Sequence, residues 1–115
     1  MLVAGFLLAG CSTQPRTTLA VDLQGLWQFP NRGVWIRINA DGSAFQCRVA
    51  PNNELILASG RFTEPASIVW DKEWERDGVN IVADGIRLDG KFGKFTFVRA
   101  TDPMSAACLA AEAEA

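Results

Sequence analysis

Between residues 22 and 100, apolar residues alternate with polar ones, and turn-forming residues interrupt the alternation every eight to twelve positions. A period of two places successive side chains on opposite faces of a β-strand. In the hairpin that turns at Asp41-Gly42, Val34 and Ile36 therefore share one face. No part of this span keeps a period of 3.6 residues over ten positions, so the pattern predicts an all-β domain.

The same pattern predicts eight short strands, the first over residues 24–29 and the last over residues 92–99. Links this short make neighbouring strands antiparallel, because parallel pairs need a long crossover. An up-and-down meander of eight strands removes its open edges by closing into a small barrel; a β-sandwich is the alternative. We expect side chains to fill the interior of a barrel this small, and the candidates are Trp27, Phe29, Phe45, Phe62, Trp70, Phe95 and Phe97.

Four Asp-Gly pairs, at 41–42, 77–78, 84–85 and 89–90, are interpreted as turns between these strands. They lack the alternating oxygen-ligand spacing of an EF-hand loop, so we expect no calcium site. The chain has no His, which removes the usual general base and the commonest metal ligand. No serine has a partner for nucleophilic catalysis, and we expect neither a catalytic residue nor a metal centre.

The N-terminus has a short apolar run that ends in Leu8-Ala9-Gly10-Cys11. This tetrapeptide resembles the lipobox of bacterial lipoproteins. A secretory signal normally starts with a basic region, but no Lys or Arg precedes Arg16, so we expect the natural signal to begin upstream of Met1. The run is far shorter than the ~20 residues of a spanning helix. An ordinary free cysteine after a buried strand is the alternative.

The resemblance implies that residues 1–10 form a cleaved signal peptide and that Cys11 carries a covalent lipid, the only non-protein group expected. Two or three acyl chains would hold the protein stably, since one chain binds only marginally. Ser12 follows the cysteine, and the sorting rule of enteric-type bacteria then implies the outer membrane, on its periplasmic face. Residues 11–21 are polar and rich in Thr, which predicts a flexible linker.

Two further cysteines, Cys47 and Cys108, remain once Cys11 is set aside. The implied periplasmic address permits a disulfide between them, and two buried free thiols are the alternative. Residues 101–115 form a separate tail that is rich in Ala and Glu, both of which favour helices. We expect a helix that begins near Asp102-Pro103 and that this disulfide would tie to the third strand.

A second resemblance concerns the start and the end of the predicted barrel. Gly25-Leu26-Trp27 opens the first strand and Arg99 closes the last. This is similar to the lipocalin pattern, in which a Gly-x-Trp begins strand one and a late basic residue lies across the Trp ring. The resemblance implies a lipocalin-like barrel that the Trp27–Arg99 pair closes. Lipocalins are longer, so we expect a shallower barrel here.

The stretch from Trp70 to Asp77 concentrates charge and aromatic residues more than any other part of the chain. If it is extended, its four acidic residues share one face, and the tryptophans share the other with Lys72 and Arg76. Such an acidic edge with two tryptophans suits a cationic partner or a sugar; a solvated hairpin whose charges discourage edge pairing is the alternative. The candidate partner-binding residues are Trp70, Asp71, Glu73, Trp74 and Glu75.

The net charge is −2 and the charges are interleaved, so nucleic acid is not an expected partner. We therefore expect a non-enzymatic, lipid-anchored binding or interaction module in the periplasm. One alternative is a protein inhibitor of a periplasmic hydrolase or toxin, acting through the acidic loop at residues 70–77. Another is a carrier of a small apolar ligand inside the barrel.

Overall fold

The structure is a computed structural model of the chain, and it describes residues 23–30, 32–63, 65–71 and 76–115. The predicted signal peptide, Cys11 and the linker at residues 11–21 lie outside the described residues.

Eight antiparallel strands form one closed barrel in the described part of the chain, in the order in which they occur in the sequence. The barrel closes where the first strand pairs with the last, with Trp27 opposite Arg99 and Gln28 opposite Val98. This closure confirms the predicted up-and-down barrel and excludes the β-sandwich. The strands are β1 (Gly25–Gln28), β2 (Val34–Ile38), β3 (Ser43–Val49), β4 (Leu55–Thr63), β5 (Ser67–Trp70), β6 (Arg76–Val82), β7 (Gly85–Gly90) and β8 (Gly93–Arg99), and one helix follows, α1 (Ala106–Ala113).

Inward-facing side chains fill the barrel with a continuous apolar core. Ile36, Ile38, Ile68 and Ile86 are at most 1 % exposed, as expected when alternate residues of each strand face the interior. Trp27, Trp70 and Phe97 lie in the same core, and Phe29 and Phe62 pack against it.

Two of the aromatic residues predicted to fill the barrel do not do so. Phe45 belongs to a separate cluster outside the barrel, because it shares a face with Cys47, and Cys47 faces the helix. Phe95 remains 42 % exposed, with its ring edge-on to Phe29 at 5.8 Å between centroids.

Helix α1 covers the outer face of β2–β4 and is held there by the predicted disulfide. Cys47 and Cys108 are bonded and both are fully buried. Trp35 and Met104 complete this second apolar cluster, and Arg37 on β2 forms an ion pair with Glu112 on α1 at 2.6 Å. The side chain of Trp35 is buried there, and its Nε1–H finds no hydrogen-bond acceptor among the described residues.

The helix begins later than the sequence predicts. Its N-cap is Ser105, whose side chain accepts a hydrogen bond from the backbone N–H of Cys108, so Pro103 and Met104 precede the helix. Met104 is only 3 % exposed, whereas Leu109 is 39 % exposed. The short side chains of Cys108 and Ala111 face the barrel instead.

Trp27 and Arg99 are in contact where the first and last strands of the barrel pair. The Arg99 guanidinium lies over the Trp27 ring, 4.1 Å from its centroid, and it donates a hydrogen bond to the backbone oxygen of Gln24. Trp27 Nε1 donates to the backbone oxygen of Leu23 at 3.0 Å. Gly25 has a φ of +124°, and a Cβ there would collide with Arg99. The glycine of the motif therefore makes room for the arginine.

Two of the four predicted Asp-Gly turns are wrong. Asp77-Gly78 lies inside β6, and Asp89-Gly90 ends β7, with the turn at residues 91–92. Asp41-Gly42 does form a turn, in which Gly42 has a φ of +89°. The exceptions arise because interior packing and backbone pairing outweigh the turn preference of a dipeptide.

Substitution of Gly85 by alanine tests the close approach of β7 and β8. A Cβ at this position would overlap the backbone oxygen of Phe97, so one strand must move. We expect the free energy of unfolding to fall by about 1–3 kcal/mol in chemical denaturation, as for other overpacking substitutions. Gly78→Ala is the matched control, because its new Cβ would meet its nearest neighbour at an ordinary 3.7 Å. Equal stabilities of the two variants would contradict the prediction.

Candidate functional site

The described residues of the stretch singled out in the sequence lie at the end of β5 and the start of β6. Its first residue, Trp70, is only 3 % exposed and belongs to the barrel core. The expectation that Trp70 presents a binding surface is therefore corrected: its indole fills the interior, as alternation with Ile68 requires. Glu73, Trp74 and Glu75 lie outside the described residues.

Trp70 is joined to Asp77 inside the barrel. The indole Nε1–H of Trp70 donates a 2.8 Å hydrogen bond to Asp77 Oδ2. Two glycines provide the space for these side chains. A Cβ at Gly60 would lie 2.7 Å from the Trp70 ring, and a Cβ at Gly90 would overlap the Asp77 carboxylate. The Asp77 carboxylate is thus held by the indole of Trp70, in space that exists because Gly60 and Gly90 have no side chains.

Burial raises the pKa of the Asp77 carboxyl above its ordinary value of 3.8, and the nearby charge of Asp89 adds to this, while the Trp70 hydrogen bond opposes it. Desolvation disfavours the charged form of a carboxyl. By contrast, hydrogen bonds with Ser43 lower the pKa of Asp41, and a hydrogen bond from Arg87 lowers that of Asp89.

The raised pKa of Asp77 gives a signed prediction for the Asp77→Asn variant. Between 3.8 and its raised pKa, Asp77 binds more protons in the folded than in the unfolded state, so its contribution to stability declines as pH rises through that range. Asparagine can still accept from Trp70 but does not ionise. We expect Asp77→Asn to gain stability relative to wild type at pH 7 and to lose this gain at pH 3, measured by urea denaturation. Asp84→Asn, in an exposed turn, is the control, and an unchanged difference at the two pH values would contradict the prediction.

Two residues of the predicted partner surface, Trp70 and Asp71, are described, and of these Asp71 is exposed. Its backbone N–H donates to the oxygen of Ser59 at 2.8 Å, and its Oδ1 accepts from the N–H of Ser59 at 3.1 Å. These two hydrogen bonds hold Asp71 beside β4, directly after the last residue pair of the β4–β5 ladder.

A groove of about 280 Å³ lies beside Asp71, between the end of α1 and strands β3 and β4. Phe45 and Leu57 contribute apolar surface, Ser59 and Asp71 lie on the barrel side, and Glu114 lies on the helix side. The two ion pairs among the described residues engage Glu112 and Asp89. Neither Asp71 nor Glu114 is therefore neutralised by a described cation. The contribution of the helix was not predicted from sequence, since it depends on where the disulfide places α1.

A second hollow, of about 410 Å³, lies near the Trp27–Arg99 closure and is lined in part by Arg37, Asn39 and Arg99. Ile38 of the barrel core also lines this hollow. Among the described residues, no group of three or more His, Cys, Asp or Glu side chains is placed to hold a metal ion. The described helix is too short to cross a membrane.

Comparisons of the chain with protein-family models, with curated proteins and with solved structures found no match.

Proposed function

We propose that this protein is a non-enzymatic interaction module of the bacterial envelope, held on the periplasmic face of the outer membrane by a lipid on Cys11. The observation that carries the interaction is the groove beside Asp71. It combines apolar surface with two carboxylates that no described cation neutralises. The proposed location rests on the resemblance of Leu8-Ala9-Gly10-Cys11 to a lipobox.

The disulfide between two fully buried sulfurs supports an oxidising compartment. The barrel supports a role as a rigid scaffold, because its interior is occupied by its own apolar side chains. A carrier of a small apolar ligand is not favoured, because those side chains occupy the space that such a ligand would need.

A protein inhibitor of a basic periplasmic hydrolase or toxin is the more specific form of this proposal. Asp71 marks where the acidic stretch begins, and residues 71–77 hold four acidic and two basic side chains. Complementary charge speeds the encounter with a basic partner and helps to select it.

Site-specific photo-crosslinking in the native envelope tests the proposal. A photoreactive amino acid at Ser59, which lines the groove, should give an adduct with one partner of fixed mass. The matched control places it at Thr96, an exposed position on β8, four strands away, where we expect no such adduct. Absence of a specific adduct at Ser59, or the same adducts at both positions, would contradict the proposal.

A further inference from the structure

We infer that the tip of the β7–β8 hairpin, residues 90–95, docks on an anionic phospholipid bilayer and inserts Phe92 among the lipid headgroups. The inference rests on the proposed function, because the lipid on Cys11 would hold the barrel beside a bilayer. It names a second contact with that membrane, made by the folded domain itself.

Phe92 is the most exposed large hydrophobic side chain among the described residues, with 68 % of its surface accessible. It lies in the two-residue turn between β7 and β8. Phe95, which is 42 % exposed, packs next to this turn, because a Cβ on Gly93 would meet the Phe95 ring at 3.7 Å. An exposed ring at a turn can be buried against lipid without a change in the barrel, and its burial removes apolar surface from water.

Two basic side chains flank the exposed ring. Lys91 Nζ lies over the Phe92 ring, 5.8 Å from its centroid, and Lys94 follows two positions after Phe92. The two ion pairs among the described residues use Arg37 and Arg87. Neither lysine therefore forms an ion pair with a described carboxylate.

The charge of the hairpin is opposite in sign to that of the whole chain. Residues 87–94 hold three basic side chains and one acidic one, a net charge of +2, in a chain whose net charge is −2. The acidic one, Asp89, already accepts two hydrogen bonds from Arg87. This local positive charge is complementary to an anionic lipid surface, where each basic side chain raises the affinity roughly fivefold.

The small size of the tip favours a lipid surface over a protein partner. Stable protein interfaces bury roughly 1,200–2,000 Å², far more than a two-residue turn can supply. A bilayer needs no matching shape, since its charge and its apolar interior extend in every direction along the surface. One ring and two lysines bind weakly alone, but a short tether gives the attached surface a millimolar effective concentration.

The linker is long enough for the tip to reach the bilayer that would hold Cys11. The connections of an up-and-down barrel alternate between its two ends, so the β7–β8 turn lies at the end opposite the start of β1. A seven-residue strand such as β8 is about 23 Å long. Residues 12–22 can span up to roughly 36–40 Å when extended, which exceeds that length.

Nuclear magnetic resonance of the isotope-labelled full chain with Cys11→Ala tests the contact in the absence of an attached lipid. The protein is titrated with bicelles of phosphatidylcholine, either alone or with one part in four of phosphatidylglycerol. The anionic bicelles should shift the amide signals of Lys91, Phe92 and Lys94, and the neutral bicelles should bind roughly twentyfold more weakly. Raised salt should weaken the anionic contact, because exposed charges are screened.

Two matched double variants separate the tip from general charge and hydrophobicity. Phe92→Ser with Lys91→Gln should lower the affinity for anionic bicelles roughly fiftyfold, because one inserted ring and one cation are lost. Ile81→Ser with Arg61→Gln removes a similarly exposed apolar side chain, 63 % accessible, and an exposed cation from outside the tip. This second variant should bind as the unsubstituted tip does, and near-ultraviolet circular dichroism checks that each variant is folded.

Three results would overturn the inference: equal binding of the two kinds of bicelle, shifts confined to residues outside 90–95, or an equal loss of affinity in the two double variants. Tip signals that shift with protein concentration in the absence of lipid would also overturn it, because they would identify a second copy of the chain as the occupant.

The two proposals fail in different ways. If Cys11 carries a lipid and the Ser59 crosslink forms, but the tip does not bind anionic bicelles, the interaction module stands and the inference about the hairpin is wrong. If the tip binds anionic bicelles but Ser59 gives no specific adduct, the membrane contact stands and the proposed protein partner is wrong.

Discussion

Joint replacement of Cys47 and Cys108 by alanine is expected to lower the free energy of unfolding by about 4 kcal/mol. The bond joins residues 61 positions apart, and the chain-entropy model gives a loop of this length about that much stabilisation. For a domain of this size the loss corresponds to a fall in Tm of roughly 15–30 °C. The helix should also loosen, because eight residues are too few for a stable isolated helix.

Thermal unfolding followed by far-ultraviolet circular dichroism measures this effect. Ala110→Ser is the matched control, since Ala110 lies on the exposed side of α1 and surface substitutions usually change stability by less than about 0.5 kcal/mol. A double variant that unfolds within about 1 kcal/mol of wild type would show that packing of Met104 and the Arg37–Glu112 pair holds the helix without the disulfide.

The second large effect is expected for Trp27→Ala, at about 3–5 kcal/mol of lost stability. Trp27 is 3 % exposed, lies in the barrel core and donates to the Leu23 oxygen. Its removal leaves a cavity where β1 and β8 close the barrel, and it takes away the ring beneath Arg99.

Arg99→Gln is the informative companion to Trp27→Ala. It keeps the tryptophan and removes the cation over its face, an interaction that contributes about 0.5–2 kcal/mol. Chemical denaturation should therefore rank the variants as wild type, Arg99→Gln and Trp27→Ala in order of falling stability. The reverse order would mean that the charge of Arg99, and not the burial of Trp27, secures the closure.

Much of the fold could be predicted because alternation specifies faces locally. Val34, Ile36 and Ile38 alternate with Trp35 and Arg37, and the structure places the isoleucines inside and Trp35 and Arg37 under the helix. The short links between strands leave few possible strand orders, so the closed barrel could be predicted as well.

The errors arose where tertiary context outweighs a local signal. Asp77-Gly78 has the composition of a turn but lies in a strand, because the Asp77 carboxylate finds the indole of Trp70 inside the barrel and space beside Gly90. No dipeptide preference contains that information. Its size predicts that Phe45 lies in the interior, yet Phe45 shares its face with Cys47, and the disulfide to the tail places that face outside the barrel.

The candidate site was predictable only in part. The density of charge predicts an exposed Asp71, whereas the prediction for Trp70 is wrong, since an aromatic residue in a charged stretch resembles a surface anchor. Glu114 and Ala111 could not be assigned, because their place beside Asp71 depends on the packing of α1 against β3 and β4.

Mass spectrometry of the mature protein from its native host tests the proposed lipid anchor on Cys11 most directly. We expect the N-terminal peptide to begin at Cys11 and to carry the mass of a diacylglycerol on the cysteine sulfur, and a Cys11→Ala variant should lose this mass and leave the membrane fraction. A mature chain with residues 1–10 still attached and an unmodified thiol at Cys11 would contradict the account.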